Sequence, residues 1–166
     1  MYYHNYLQTS SKDISNMLTL VIEVVRFEAI TELTFDYLKV IAPSNEDSKF
    51  LQAMLDDERE HFDELKKIYF ALTGQQPAGD PPTFEVPESY SKGINDLFLQ
   101  KLEIIAIYKK IRKLSPFLAV REKVADFIHD ELRHLPMLNH ILINKYDGER
   151  FYDYRTIPNH YPPTYS

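Results

Sequence analysis

The chain contains no cysteine and no tryptophan, and only four of its 166 residues are glycine. Without cysteine it has no disulfide bond, no thiolate zinc site, no iron–sulfur cluster and no thiol nucleophile. It also lacks a run of lysine and arginine, and its net charge is −6. Proteins dedicated to nucleic acids concentrate basic residues to meet phosphates, so we expect no nucleic-acid partner.

Long hydrophobic runs are missing as well. No stretch of 18 apolar residues could span a bilayer, and the first residues have neither the basic start nor the apolar run of a signal peptide. We therefore expect a cytoplasmic protein without a membrane partner. Apolar residues are spread through the whole chain, which at this length favours one domain with a substantial core.

The apolar residues recur with helical periodicity in four segments, and proline or glycine follows each segment. Pro43 and Pro116 mark two short turns, whereas residues 73–89 carry four prolines and predict a long crossover along a bundle. Pro136 is expected to kink the fourth helix. The predicted helices cover residues 13–41, 45–73, 90–114 and 117–146. The predicted organisation is an N-terminal tyrosine-rich tail at 1–12, the bundle at 13–146, and a C-terminal tail rich in tyrosine and proline at 147–166.

Two short stretches are near copies of one another. Residues 57–61 read Asp-Glu-Arg-Glu-His, and residues 130–134 read Asp-Glu-Leu-Arg-His. Each places a glutamate and a histidine three residues apart, so both side chains leave one face of a helix a turn apart. A carboxylate and an imidazole in this arrangement can hold one metal ion.

Four glutamates are predicted to lie at one level of the bundle. Glu28 and Glu58 each lie fifteen residues from the proline of the first turn, and Glu103 and Glu131 lie thirteen and fifteen residues from that of the second. At 1.5 Å per residue these distances place all four about 20 Å above the turns. Each glutamate also lies on the apolar stripe of its helix, where an unpaired carboxylate costs several kcal/mol. Two divalent cations would supply the counter-charge.

Four glutamates and two histidines favour iron or manganese over a structural zinc site. A glutamate on each of two helices, with Glu-x-x-His on the other two, is the pattern of ferritin-like di-iron carboxylate bundles. Over residues 14–146 the chain thus resembles the ferritin-like superfamily, most closely its small rubrerythrin-like branch without a rubredoxin domain. The resemblance implies an all-α, ferritin-like antiparallel four-helix bundle with one long crossover between helices 2 and 3. It also implies two Fe ions, with Mn as the alternative metal.

The resemblance assigns a role to each ligand position. It implies single-carboxylate ligands at Glu28 and Glu103, bridging carboxylates at Glu58 and Glu131, and terminal imidazoles at His61 and His134. Asp57 and Asp130 match the aspartate that hydrogen-bonds a ligating histidine in related motifs. Glu32 lies one turn after Glu28 and is the obvious additional carboxylate.

The implied activity is an oxidoreductase that consumes hydrogen peroxide or O2 with an unidentified electron donor. Peroxide-reducing rubrerythrins carry a further third-helix glutamate, whereas Gln100 and Ala106 stand at the matching positions here. Two alternatives therefore stay open: a ferritin-like protein for iron binding, iron oxidation or storage, and a structural or coat-type bundle stabilised by metal. A homodimer is expected from the habit of the family.

Overall fold

The computed structural model describes residues 11–78 and 83–153, with side chains described as far as Asn144. The described part contains four α-helices and no strand, which confirms the all-α prediction. The predicted tails lie largely outside the described residues, at 1–10 and 154–166. The helices are α1 (Ser11–Val40), α2 (Asn45–Thr73), α3 (Tyr90–Leu114) and α4 (Leu118–Asp153).

Local capping interactions set both ends of α2. The Ser44 side chain accepts a hydrogen bond from the backbone N–H of Asp47 at 3.0 Å, as expected of an N-cap serine. At the other end Gly74 adopts a φ of 72°, and its N–H donates to the carbonyl of Phe70 at 2.8 Å. Glycine reaches this left-handed conformation without the steric cost of a Cβ atom, so the helix ends where the sequence predicts.

Helix α4 is longer than predicted. Its predicted end is Tyr146, but in the structure the helix passes through Gly148 and continues to Asp153. A glycine inside a helix costs only about 1 kcal/mol relative to alanine, so it does not stop a helix by itself. Pro136 also lies inside α4 without ending it, and the kink expected there stays a prediction.

The helices form two antiparallel hairpins, α1 with α2 and α3 with α4. The hairpins meet mainly through α1 and α3, whereas α2 and α4 pack less extensively. The Tyr90 hydroxyl donates to Asp47 at 3.4 Å, which joins the start of α3 to the start of α2. The connection that leaves the far end of α2 must therefore return along the full length of the bundle. This is the predicted crossover. Among the described residues, no helix contains an apolar segment of the length that a bilayer requires.

The core has two apolar layers. The first contains buried residues of all four helices, among them Val21, Leu65, Tyr108 and Phe127. The second lies nearer the end of the bundle at which α2 and α3 begin, and contains among others Phe35, Leu55, Leu97 and Leu138. Along every helix a buried charged residue separates the two layers, so a polar level crosses the middle of the bundle.

Candidate metal centre

Six charged or ionisable side chains converge at the polar level, each at most 2% exposed. They comprise three carboxylates, two imidazoles and one ammonium group, supplied by all four helices. They are Glu28 of α1, Glu58 and His61 of α2, Lys101 of α3, and Glu131 and His134 of α4.

Four of these residues form one compact set of donors. One ligand atom from each of Glu28, Glu58, His61 and Glu131 lies within 4.8 Å of the others. Several of the buried atoms that could bind a metal ion have no hydrogen-bond partner among the described residues, including Glu28 Oε2, Glu58 Oε1 and His61 Nδ1. Unpartnered polar atoms in a core are costly, and a cation among them would satisfy these atoms together.

The aspartates of the two repeated motifs cross over between the hairpins. Asp130 Oδ2 lies 3.2 Å from His61 Nε2, and Asp57 Oδ2 lies 2.9 Å from His134 Nε2. Arg133 bridges the pair, since its Nη2 donates to Asp57 at 2.6 Å and to Asp130 at 3.2 Å. Each motif therefore orients the histidine of the other motif.

These contacts fix the orientation of both imidazole rings. A carboxylate only accepts hydrogen bonds, so each Nε2 carries a proton and each Nδ1 faces the cluster. His61 Nδ1 lies 3.6 Å from Glu131 Oε1, and His134 Nδ1 lies 3.2 Å from Glu58 Oε1. A lone pair directed at a carboxylate is repelled by it, so each Nδ1 needs either a proton or a metal ion.

Lys101 is the residue of the cluster that the sequence analysis missed. Its side chain is fully buried, and its Nζ contacts Glu58 and lies 3.1 and 3.3 Å from the two carboxylate oxygens of Glu131. The ring of Phe35 covers it at 5.4 Å from the centroid. The ammonium thus lies between the two glutamates that the resemblance assigns as bridging ligands.

Glu103 does not reach the cluster and is exposed to solvent. Its assignment as the α3 ligand rested on its height along the helix and on the prediction that it lies on the apolar stripe of α3, and the second prediction is wrong. Residues two positions apart on a helix, such as Lys101 and Glu103, differ in direction by about 200°. Buried residues of α3 recur at Leu97, Lys101, Ile104 and Tyr108, which places Glu103 on the opposite face. The described residues of α3 bring a cation to the cluster where the resemblance implies a carboxylate.

The sequence did contain a signal for Lys101. It lies fifteen residues before Pro116, the same distance that separates Glu28 and Glu58 from Pro43. The equal spacing therefore favours Lys101 over Glu103. The apolar residues Leu97, Ile104 and Tyr108 lie at helical spacing from Lys101 and place it on the same face of α3.

Glu32 also lies outside the cluster. Its carboxylate accepts from Arg59 Nε at 2.7 Å near the surface, so it is engaged in an ion pair with α2. Gln100 is half-buried and Ala106 is exposed, and neither adds a carboxylate at the polar level. The described structure therefore provides three cluster carboxylates, not four or five.

The protonation of the cluster is set by burial and by the close charges. Burial, and then the charge of Glu58, raise the pKa of Glu28 well above its ordinary value, and the Tyr108 hydroxyl donates to Glu28 at 3.0 Å. Burial alone would raise the pKa of Glu58 and Glu131, but the charge of Lys101 together with hydrogen-bond contacts, those with His134 among them, outweighs burial and holds both pKa values below the ordinary range. The same two carboxylates keep the pKa of Lys101 above its ordinary value despite burial.

Both histidines become more basic in this environment. Burial would lower the pKa of His134, but its contacts with Glu131 and Glu58 raise it to about 9. The pKa of His61 is also raised, since Glu131 and Glu58 outweigh burial. Without a metal the cluster therefore holds protons at neutral pH.

Comparison with known proteins agrees with this description of the fold. No protein-family model matches the chain, and no curated protein matches it. A crystal structure of ferritin-like, diiron-carboxylate proteins from Bacillus anthracis str. Ames matches with a TM-score of 0.68 and 19% sequence identity. The match covers 80% of this chain and 99% of the other. The chain thus has the ferritin-like four-helix-bundle fold, and a buried carboxylate–histidine cluster lies at its centre.

The donor set fits one metal ion better than two. Glu28, Glu58, His61 and Glu131 would hold an ion with three carboxylates and one imidazole, a set suited to iron or manganese. On the side of His134 no fourth carboxylate is available among the described residues, because Lys101 takes its place.

Proposed function

We propose that the chain binds iron, with manganese as the alternative, at this cluster and acts as a rubrerythrin-like oxidoreductase on hydrogen peroxide or O2. The observation that carries the proposal is the set of buried ligand atoms of Glu28, Glu58, His61 and Glu131, which lie within 4.8 Å of one another in the core. Their burial is costly in the absence of a cation, and a redox-active ion suits their chemistry. The proposal includes a separate electron donor and a homodimeric assembly.

The seclusion of the cluster supports a small oxidant over an organic substrate. Its six residues are at most 2% exposed. None of them lines the surface cavities that the described residues form at α1, at the crossover, and between α3 and α4. A site of this kind is reached by diatomic or similarly small molecules during local motion of the helices. Larger substrates usually bind in an open, mostly apolar pocket.

Iron, when bound, supplies one-electron chemistry towards O2 or peroxide. Reduction of peroxide to water consumes two electrons and two protons. Oxidation of one ferrous ion to the ferric state supplies one electron, so an external reductant must supply the second. The chain itself offers a proton-holding group beside the ligands, since the Tyr108 hydroxyl donates to Glu28 at 3.0 Å. Asp130 holds His61 in the orientation that presents Nδ1 to the cluster.

A second candidate function is a structural bundle without redox chemistry. Lys101 favours it, because its ammonium already neutralises part of the charge of Glu58 and Glu131. In that case the ion pairs would serve to specify the packing of the four helices, as some buried polar groups do.

Metal content separates the two candidates. We expect the chain, purified after growth with added iron, to contain metal by elemental analysis, and Glu58→Ala to abolish it. Glu103→Ala is the matched control, since it removes an exposed glutamate and should leave the metal content unchanged. A wild-type chain with no metal above background would overturn the proposal in favour of the structural function.

The reaction is tested on anaerobic, Fe(II)-loaded protein mixed with peroxide or with O2. We expect rapid oxidation followed by repeated turnover when a reductant is present. A single oxidation that no reductant recycles would contradict the oxidoreductase and favour iron oxidation. Uptake of many iron ions for each chain would instead support storage.

A further inference from the structure

We propose that the cluster is built for a single divalent metal ion, and that the ammonium of Lys101 permanently takes the place and charge of a second ion. The inference rests on the proposed metal binding and deepens it. Ferritin-like di-iron bundles supply a carboxylate from each of two helices and Glu-x-x-His from the other two. Here α1 supplies Glu28 at that level, whereas α3 supplies Lys101.

The position of Lys101 carries the argument. Its Nζ contacts Glu58 and lies 3.1 Å from Glu131 Oε2, on the side of the cluster that also contains His134. A metal ion in a second position would have to bind these same two carboxylates. An ammonium group in contact with both excludes such an ion by its volume and by its charge.

Lys101 has no route out of the core. Its side chain is 0% exposed, and Phe35 lies against it on a further side. Moving the ammonium to solvent would require a shift of α3 against its neighbours. The ammonium is therefore a fixed component of the cluster and not a surface cation that swings in.

The charges of the cluster agree with one ion. With one ion bound through His61, His134 keeps a proton on Nδ1 beside Glu58, so three carboxylates, the ammonium and this imidazolium carry one net negative charge. One divalent cation then leaves a single positive charge, and a second ion would have to displace the proton of His134. A second divalent cation would leave two positive charges in the core, and uncompensated buried charge is strongly unfavourable. The complete donor set of Glu28, Glu58, His61 and Glu131 is the place for the single ion.

The test is the metal stoichiometry of the full chain. Metal-free protein is dialysed against increasing Mn(II), and bound Mn is measured by elemental analysis, with the EPR hyperfine pattern as a second readout. We expect one ion for each chain and the pattern of an isolated ion. Two ions with the narrower pattern of an exchange-coupled pair would overturn this inference and leave the proposed metal binding intact. No bound ion at any concentration would overturn both.

Lys101→Glu provides the converse test, because it restores a carboxylate at the α3 position. We expect this variant to bind two ions for each chain, with coupled EPR signals, and a stoichiometry that stays at one would contradict the role given to Lys101. Lys101→Met is the companion variant, which keeps a side chain of similar length but carries neither the ammonium of lysine nor the carboxylate of glutamate. It should bind the first ion more tightly than the wild type, and weaker binding would count against the inference.

Discussion

Replacing Lys101 by methionine should strongly destabilise the metal-free protein. The substitution keeps an unbranched side chain of similar size in the core but removes the cation that contacts Glu58 and lies 3.1 Å from Glu131. All three side chains are at most 1% exposed. Removing one partner of a buried ion pair typically costs about 3–5 kcal/mol, because a charge remains without compensation. Domains of this kind are stable by about 5–15 kcal/mol, so the loss is a large share of the total.

The assay is urea unfolding followed by far-UV circular dichroism, in the presence of a chelator. Arg59→Met is the matched control, since it removes a cation of the same bundle that pairs with Glu32 and Asp36 but is 44% exposed. Exposed pairs contribute about 0–1 kcal/mol, so the control should lose little. Equal losses for the two variants would refute the argument that burial makes the Lys101 contacts important. In a separate unfolding experiment without the chelator, Mn(II) at 100 times its Kd should raise the free energy of unfolding of the Lys101→Met variant by about 2.7 kcal/mol through mass action.

Three further predictions concern the ligands, the aspartates and the helix packing. Because the pKa values of Glu28 and His61 are raised, protons compete more strongly with the metal ion for both ligands. Mn(II) binding should therefore release protons in calorimetry and weaken as the pH falls, and a pH-independent affinity would contradict this. Asp130→Asn should weaken Mn(II) binding about 10–100-fold through loss of its contact with a ligand histidine, whereas Asp57→Asn should have a smaller effect; the reverse order would place the ion on the other side of the cluster. Gly93→Ala would put a Cβ 2.7 Å from a methyl group of a buried leucine of α1, so thermal unfolding should show a net loss of about 1 kcal/mol, and a gain would mean that α1 and α3 separate easily.

Much of the fold was accessible from the sequence because local signals agree there. The helix periodicity, together with the prolines and Gly74 that follow the helical segments, places the ends of α2 and α3 within a residue of those in the structure. The prediction ends α4 before Gly148, whereas the helix continues through this glycine to Asp153. Glycine stops a helix only where the backbone turns left-handed, and that depends on contacts which the sequence does not display.

The centre shows a sharper limit of sequence reasoning. The repeated Glu-x-x-His motifs place their side chains on one face by helix geometry alone, and all four residues are buried together. On α3 the resemblance implies a carboxylate, and Glu103 is a carboxylate at nearly the expected height, although height along a helix does not determine the direction of the side chain. Lysine is almost never fully buried without a partner, so a lysine in the sequence does not by itself predict a core position. Its partners lie on α2 and α4, and only the packing of the helices reveals them.

The reciprocal contacts between aspartates and histidines have a consequence for the alignment of the two hairpins. Since α2 and α4 pack less extensively than the other neighbours, apolar contacts constrain their relative sliding weakly. A slip of one helical turn would displace α4 by about 5.4 Å and break both hydrogen bonds at once, although they join opposite motifs. The two pairs, at 2.9 and 3.2 Å, therefore act as a register lock that admits one alignment of the hairpins. The polar level thus selects the native pairing of two similar halves that apolar packing alone would distinguish poorly.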